Sequence, residues 1–85
     1  MYINEKGKSR LIYVWCYLDN LYGRIEKLMS KEKDGKLFGY LAEEIVAIDV
    51  MRQNVMQAFE YEDYDVFVKE VVSKYATFKN NWYIK

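Results

Sequence analysis

At 85 residues, with 52% hydrophobic and 18% aromatic side chains and 13 basic groups balancing 13 acidic ones, the chain reads as one small domain over residues 1–85, without the basic excess that phosphate-backbone binding needs. A single cysteine excludes an internal disulfide, and the absence of histidine removes Ser-His-Asp catalysis and an ordinary zinc shell, so no metal and no cofactor are expected. The longest apolar run, LIYVWCYL at 11–18, is too short to span a bilayer, and the expected setting is a reducing cytoplasm with no membrane contact.

The charge is unevenly placed. Residues 1–36 carry eight Lys or Arg against five Asp or Glu, whereas residues 37–85 carry five against eight. Lysine outnumbers arginine and proline is absent, a composition that hints at an A+T-rich bacterial or phage genome.

The first predicted element is a helix near residues 9–33. Leu11, Val14, Leu18, Leu21, Ile25 and Leu28 recur at spacings of three and four, one apolar stripe of a helix. Ser9 is its candidate N-cap and KDGK at 33–36 its stop. The competing reading is an N-terminal hairpin in YINEKGKSRLIYVW, with KGK as the turn; the unbroken heptad through Leu21, Ile25 and Leu28 favours the helix. Opposite the stripe lie Ile12, Cys16, Asp19 and Gly23, flanked by Tyr13 and Tyr17 on one side and Trp15 and Tyr22 on the other. So apolar a helix is either central in its fold or forms a homodimer seam, where Gly23 would permit a close approach. Cys16, mid-helix among apolar residues, has nothing to activate it and reads as a packed side chain.

The second predicted helix spans 36–60, with a stripe of Phe38, Leu41, Ile45, Ile48, Arg52, Val55 and Phe59. Arg52 interrupts the apolar positions. Asp49 precedes it by three residues, close enough to pair, and Glu44 lies on the opposite edge. These three residues form the candidate buried polar cluster or pocket. The segment EEIVAID at 43–49 resembles the magnesium-binding helices of all-α nucleotide pyrophosphohydrolases, which would imply a metal-dependent hydrolase. Those enzymes pair ExxE or ExxD motifs on neighbouring helices, whereas Glu44 and Asp49 are five apart and the first helix has no matching acidic pair on its stripe. The family is therefore not assigned, and the hydrolase stands only as an alternative.

The third predicted helix covers 63–80, with Tyr64, Val68, Val71, Tyr75, Phe78 and Trp82 as its stripe. Together the three elements predict an all-α fold, a compact three-helix bundle with short antiparallel connections. A helix-turn-helix reading would point Lys69, Ser73, Lys74 and Asn80 at DNA, but Glu62, Asp63 and Asp65 would then meet phosphates.

The segment EYEDYD at 60–65 lacks the glycine and distant glutamate of a calcium loop. Asp63 as N-cap and Asp65 in the first turn account for two of its carboxylates. Glu60 and Glu62 exceed what a helix start requires. With Tyr61 expected to lie exposed beside them and Tyr64 in the core, Glu60, Tyr61, Glu62, Asp63 and Asp65 form a candidate docking surface for a protein partner with a basic face. The functional expectation is a non-enzymatic interaction module, such as an adaptor, a regulator or an inhibitor from a phage or mobile element that mimics nucleic acid. A structural homo-oligomer is the main alternative.

Overall fold

In the computed structural model, which describes residues 4–76, the first helix starts earlier than the sequence predicts. Asn4 is extended and its Oδ1 accepts the Gly7 N–H at 2.8 Å, so Asn4 rather than Ser9 is the N-cap of α1, Glu5–Lys31. Glu5 then sits in the first turn, where a carboxylate suits the helix dipole. The hairpin alternative is thereby corrected: KGK lies within the first turns of α1, and the β-rich run at 11–18 is helical throughout.

The connection to α2 is only Glu32, Lys33 and Asp34. The Asp34 side chain accepts the N–H groups of Lys36 and Leu37 at 2.9 and 3.2 Å, which starts α2 at Gly35. This helix, Gly35–Ala58, ends by a paired closure in which Glu60 N–H donates to Gln57 O and Tyr61 N–H to Met56 O. The residue that makes this closure possible, Glu60, has φ +64, a left-handed conformation usually left to glycine.

Asp63 caps the third helix as expected, accepting Val66 N–H at 2.9 Å. The helix is α over Tyr64–Phe67, π over Val68–Val72 and α again over Ser73–Ala76; we label the whole of 64–76 α3. In the π turn Ser73 N–H donates to Val68 O, and the Ser73 hydroxyl donates to Lys69 O at 2.6 Å, the carbonyl that its own N–H would meet in an α-helix. Residues 77–80 of the predicted third helix, with Phe78 and Asn80, and Trp82 beyond it, lie outside the described residues.

The helices form an all-α bundle in which α1 and α2 are an antiparallel hairpin, and α3 lies along one side of it. Tyr64 OH donates to Asp19 at one end of α3 and Tyr75 OH to Glu5 at the other, so α3 runs antiparallel to α1. At about 1.5 Å per residue, α3 is about 20 Å long against about 40 Å for α1, and it therefore covers only half of the hairpin. There a three-helix core joins Ile12, Trp15 and Cys16 to Met56 and to Phe67, Val71, Val72 and Tyr75. In the other half Leu18, Ile25 and Ile48 pack with Leu21, Leu41 and Ile45 as a two-helix contact.

This placement corrects the buried face of α1. Val14 and Leu28 of the predicted stripe are 46% and 57% exposed, whereas Ile12 and Cys16 on its back are 2% exposed, because α3 packs on that back. Nothing comes within 4 Å of a Cβ built at Gly23, so no other part of the described chain uses the close approach offered there. The stripe of α3 is also shifted: Phe67 and Val72 are buried with Val71 and Tyr75, while Tyr64 is 42% exposed. Among the described residues no helix is long and apolar enough to cross a membrane.

Candidate functional site

The stripe position of Arg52 carries its guanidinium to a polar junction of all three helices, at the edge of the three-helix core. Arg52 Nη1 donates to Asp19 Oδ1 on α1 at 2.6 Å, and Nη2 donates to Asp49 Oδ1 on its own helix at 2.8 Å. Tyr64 OH, from the first turn of α3, donates to the same Asp19 oxygen at 3.0 Å. The flat face of the guanidinium stacks on Tyr22, with Cζ 3.9 Å from the ring centroid, and Tyr64 lies at 5.4 Å. Gln53 Nε2 holds the second oxygen of Asp49 at 2.9 Å.

Arg52 is buried, and burial works against its charge. The hydrogen bonds to Asp49 and Asp19 outweigh that effect, and its pKa is raised above the ordinary arginine value. The guanidinium is therefore always charged, and with two carboxylates around it the cluster is formally one charge negative. Arg52 Nε is buried with no acceptor among the described residues. An open depression beside the cluster is lined by Asp19, Tyr22, Gly23, Glu26, Arg52 and Tyr64. The cluster ties α1, α2 and α3 together through Asp19, which accepts from both Arg52 and Tyr64.

Of the predicted polar cluster, Asp49 and Arg52 come together and Glu44 does not. Glu44 is exposed and, five residues from Asp49, lies about 140° away around the helix. Among the described residues no three side chains of metal-ligating type gather in a way that could hold an ion. Asp19, Tyr22 and Tyr64 were not assigned to this cluster from the sequence. A signal for Asp19 was present, since it is the sole acidic residue between Lys6 and Ile25.

The second candidate region is the turn at 59–65. Between Gln53 and Val68 there is no Lys or Arg, so the local field is negative. Asp63 is engaged as the cap and Asp65 lies exposed in the first turn. Tyr61 corrects the expectation of an outward anchor: its ring packs edge-on against Phe67 at 5.6 Å, and its OH donates to Glu70 at 3.0 Å. That bond, then burial, raises the pKa of Tyr61. Tyr64, expected in the core, is instead partly exposed and bonded to Asp19. Phe67 and Tyr64 both pack on Trp15, with ring centroids 5.4 and 5.6 Å away, but Phe67 is fully buried there whereas Tyr64 lies at the edge of the contact.

The side chains of Glu60 and Glu62 make no hydrogen bond or ion pair among the described residues. With Gln57, Tyr61, Asp63 and Val66 they border an open concavity. The tip of the turn is thus a rigid backbone, held by the α2 closure and the α3 cap, that presents carboxylates to solvent. Of the helix-turn-helix set, Lys69 and Lys74 are exposed, the Ser73 hydroxyl is turned to Lys69 O, and Asn80 lies outside the described residues. No protein-family model, curated protein or solved structure matches the chain.

Proposed function

We propose that the protein is a small non-enzymatic interaction module that binds a basic surface of a partner protein through the turn at 59–65. The observation that carries this reading is the division of labour among the four carboxylates. The fold uses Asp63 and Asp65 to start α3, whereas the Glu60 and Glu62 carboxylates make no hydrogen bond or ion pair among the described residues and stand on a backbone pinned by the α2 closure and the α3 cap. Fixed, unneutralised charge on a rigid support costs little ordering entropy on binding and steers a complementary partner. An inhibitor that offers carboxylates where its target expects phosphates, as a phage or mobile element would encode, is the most concrete form of this activity.

The test compares the chain with a Glu60→Lys/Glu62→Lys variant, leaving Asp63 in place because it caps α3. Each is immobilised and used to capture proteins from a cell extract, with the bound fraction quantified by mass spectrometry. A small set of basic proteins held by the parent and lost by the variant, and lost as salt rises, is the expected result. Equal capture by both forms overturns the reading.

A further inference from the structure

The side of the hairpin turned away from α3 is apolar on both helices. On α1, Val14, Tyr17, Leu21, Arg24 and Leu28 fall within an arc of about 80°, and on α2, Tyr40, Glu44, Ala47, Met51 and Asn54 fall within the same width of arc. Tyr17, Leu28, Tyr40 and Met51 are each 45–63% exposed, so nothing in the described chain covers them. Arg24 and Glu44 are the only charged residues in the two stripes; both are exposed and neither makes an ion pair among the described residues.

We propose that this face is covered by a second copy of the chain, related by a two-fold axis parallel to the helices, so that α1 of each copy lies on α2 of the other. The register of the stripes supports it. Within the hairpin, the connection brings Lys31 level with Gly35, which sets Arg24 level with about position 42, and the Asp19–Arg52 ion pair sets Arg24 level with about position 47; Glu44 lies between the two, and residues on either side pair one for one at about 1.5 Å each. A two-fold parallel to the helices preserves height. Tyr17 then meets Met51 of the other copy, Leu21 meets Ala47, Leu28 meets Tyr40, and Arg24 meets Glu44. The single charge of each stripe thus falls opposite the single, opposite charge of its partner stripe, twice per dimer. An axis perpendicular to the helices would place α1 on α1 and leave Arg24 against apolar residues, at a desolvation cost. The charges therefore select one arrangement, an antiparallel helix-on-helix layer of the four-helix-bundle kind.

Each stripe pair spans about 20 Å by 20 Å, so the dimer buries on the order of 1,000 Å², near the lower limit for a specific interface. The surface is separate from the turn at 59–65 and does not depend on the function proposed for it. Sedimentation equilibrium from about 5 to about 500 µM, the range that brackets a weak interface of this size, tests it. The expected mass rises from 10.3 kDa to twice that value with concentration. Arg24→Glu alone and Glu44→Arg alone each weaken dimerisation by about tenfold or more, while the double exchange restores it. Circular dichroism of all three variants should match the parent, since both side chains are exposed. A monomer throughout the range overturns the proposal, and so does a dimer indifferent to the single reversals or not rescued by the double exchange.

Discussion

Replacing Arg52 tests the energetic reading of the three-helix junction most directly. Arg52→Ala removes a charge-assisted hydrogen bond to Asp19 worth about 1.5–3 kcal/mol, an i,i+3 pair with Asp49 worth about 0.5 kcal/mol, and a stacked cation on Tyr22 worth about 0.5–1 kcal/mol. The side chains of Asp19 and Asp49 are 20% and 37% exposed, so water repairs part of the loss at each. The lower end of the range for breaking a buried pair, about 3 kcal/mol, is the expected cost. A domain of this length has about 4–13 kcal/mol of stability in total, so the variant should lose a large share of it. In urea, with a slope near 1 kcal/mol/M for a small chain, the midpoint followed by circular dichroism should fall by about 2–3 M. The two partners should differ. Asp19 joins two helices through the shorter contact and is itself held by Tyr64, whereas Asp49 is a local i,i+3 neighbour whose coupling should not exceed about 0.5 kcal/mol. Double-mutant cycles should therefore give Asp19 with Arg52 the larger coupling, about 2 kcal/mol. Arg52→Met combined with Asp19→Leu should recover most of the loss, because an apolar junction needs no desolvation of charge. A loss below 1 kcal/mol in Arg52→Ala, or stronger coupling to Asp49 than to Asp19, refutes the reasoning.

Glu60→Gly should stabilise the fold by about 0.5–1 kcal/mol, because relief of the left-handed strain exceeds the added freedom of the unfolded glycine; thermal unfolding should report a rise of several degrees. Cys16 is buried and its thiol is pushed up to about 11, chiefly by desolvation and then by Asp19, so at pH 8 it should react with a disulfide reagent only when the protein opens. Since its folded pKa lies above the ordinary value of 9.0, its contribution is complete below pH 9 and disappears as pH rises to about 11, which urea midpoints across that window should show. Glu5 is held below its ordinary 4.5 mainly by the Tyr75 hydroxyl, so the stability it adds is present above pH 4.5 and lost as pH falls through the lowered value. Tyr75→Phe should return the Glu5 titration, followed by carboxyl carbon shifts in NMR, toward the ordinary range.

The second helix is the most legible part of the fold because only one of its faces meets α1 along its whole length. Leu41, Ile45, Ile48, Arg52, Val55 and Phe59 are all buried or half-buried, as their spacing predicts, and of the predicted stripe only Phe38, near the start of the helix, is exposed. The first helix is harder to read for a physical reason: it has apolar residues nearly all round, and periodicity gives each face equal standing. What decides burial is the side taken by α3, which selects Ile12 and Cys16 and leaves Val14 exposed. In α3 the π turn adds one residue to the pitch, so a stripe drawn at 3.6 residues per turn misplaces Phe67 and Val72. Sequence spacing carries no mark of that turn beyond Ser73, whose hydroxyl meets the carbonyl that the turn frees. At the junction, Asp49 was readable because it is three residues from Arg52, whereas Asp19, 33 residues away, was marked only by being the sole acidic residue in its stretch of α1.

The strain at Glu60 separates two requirements that coincide elsewhere in the turn. The closure of α2 needs a residue that tolerates φ +64, and glycine or asparagine would meet that need at lower cost. The cap of α3 needs Asp63, and it is present. A glutamate at position 60 therefore serves neither helix, and an observed backbone outlier of this sort is a legitimate ground for a functional hypothesis. Three substitutions divide the possibilities. Glu60→Gly removes both strain and charge, Glu60→Asn relieves strain and removes charge, and Glu60→Asp keeps the charge on a side chain that tolerates the left-handed region better. If the carboxylate is there to bind, Gly and Asn should both gain stability and lose partner capture, while Asp gains stability and keeps capture. If all three variants capture equally, the negative charge at the tip has no part in recognition, and the glutamate is merely a tolerated residue in a strained position.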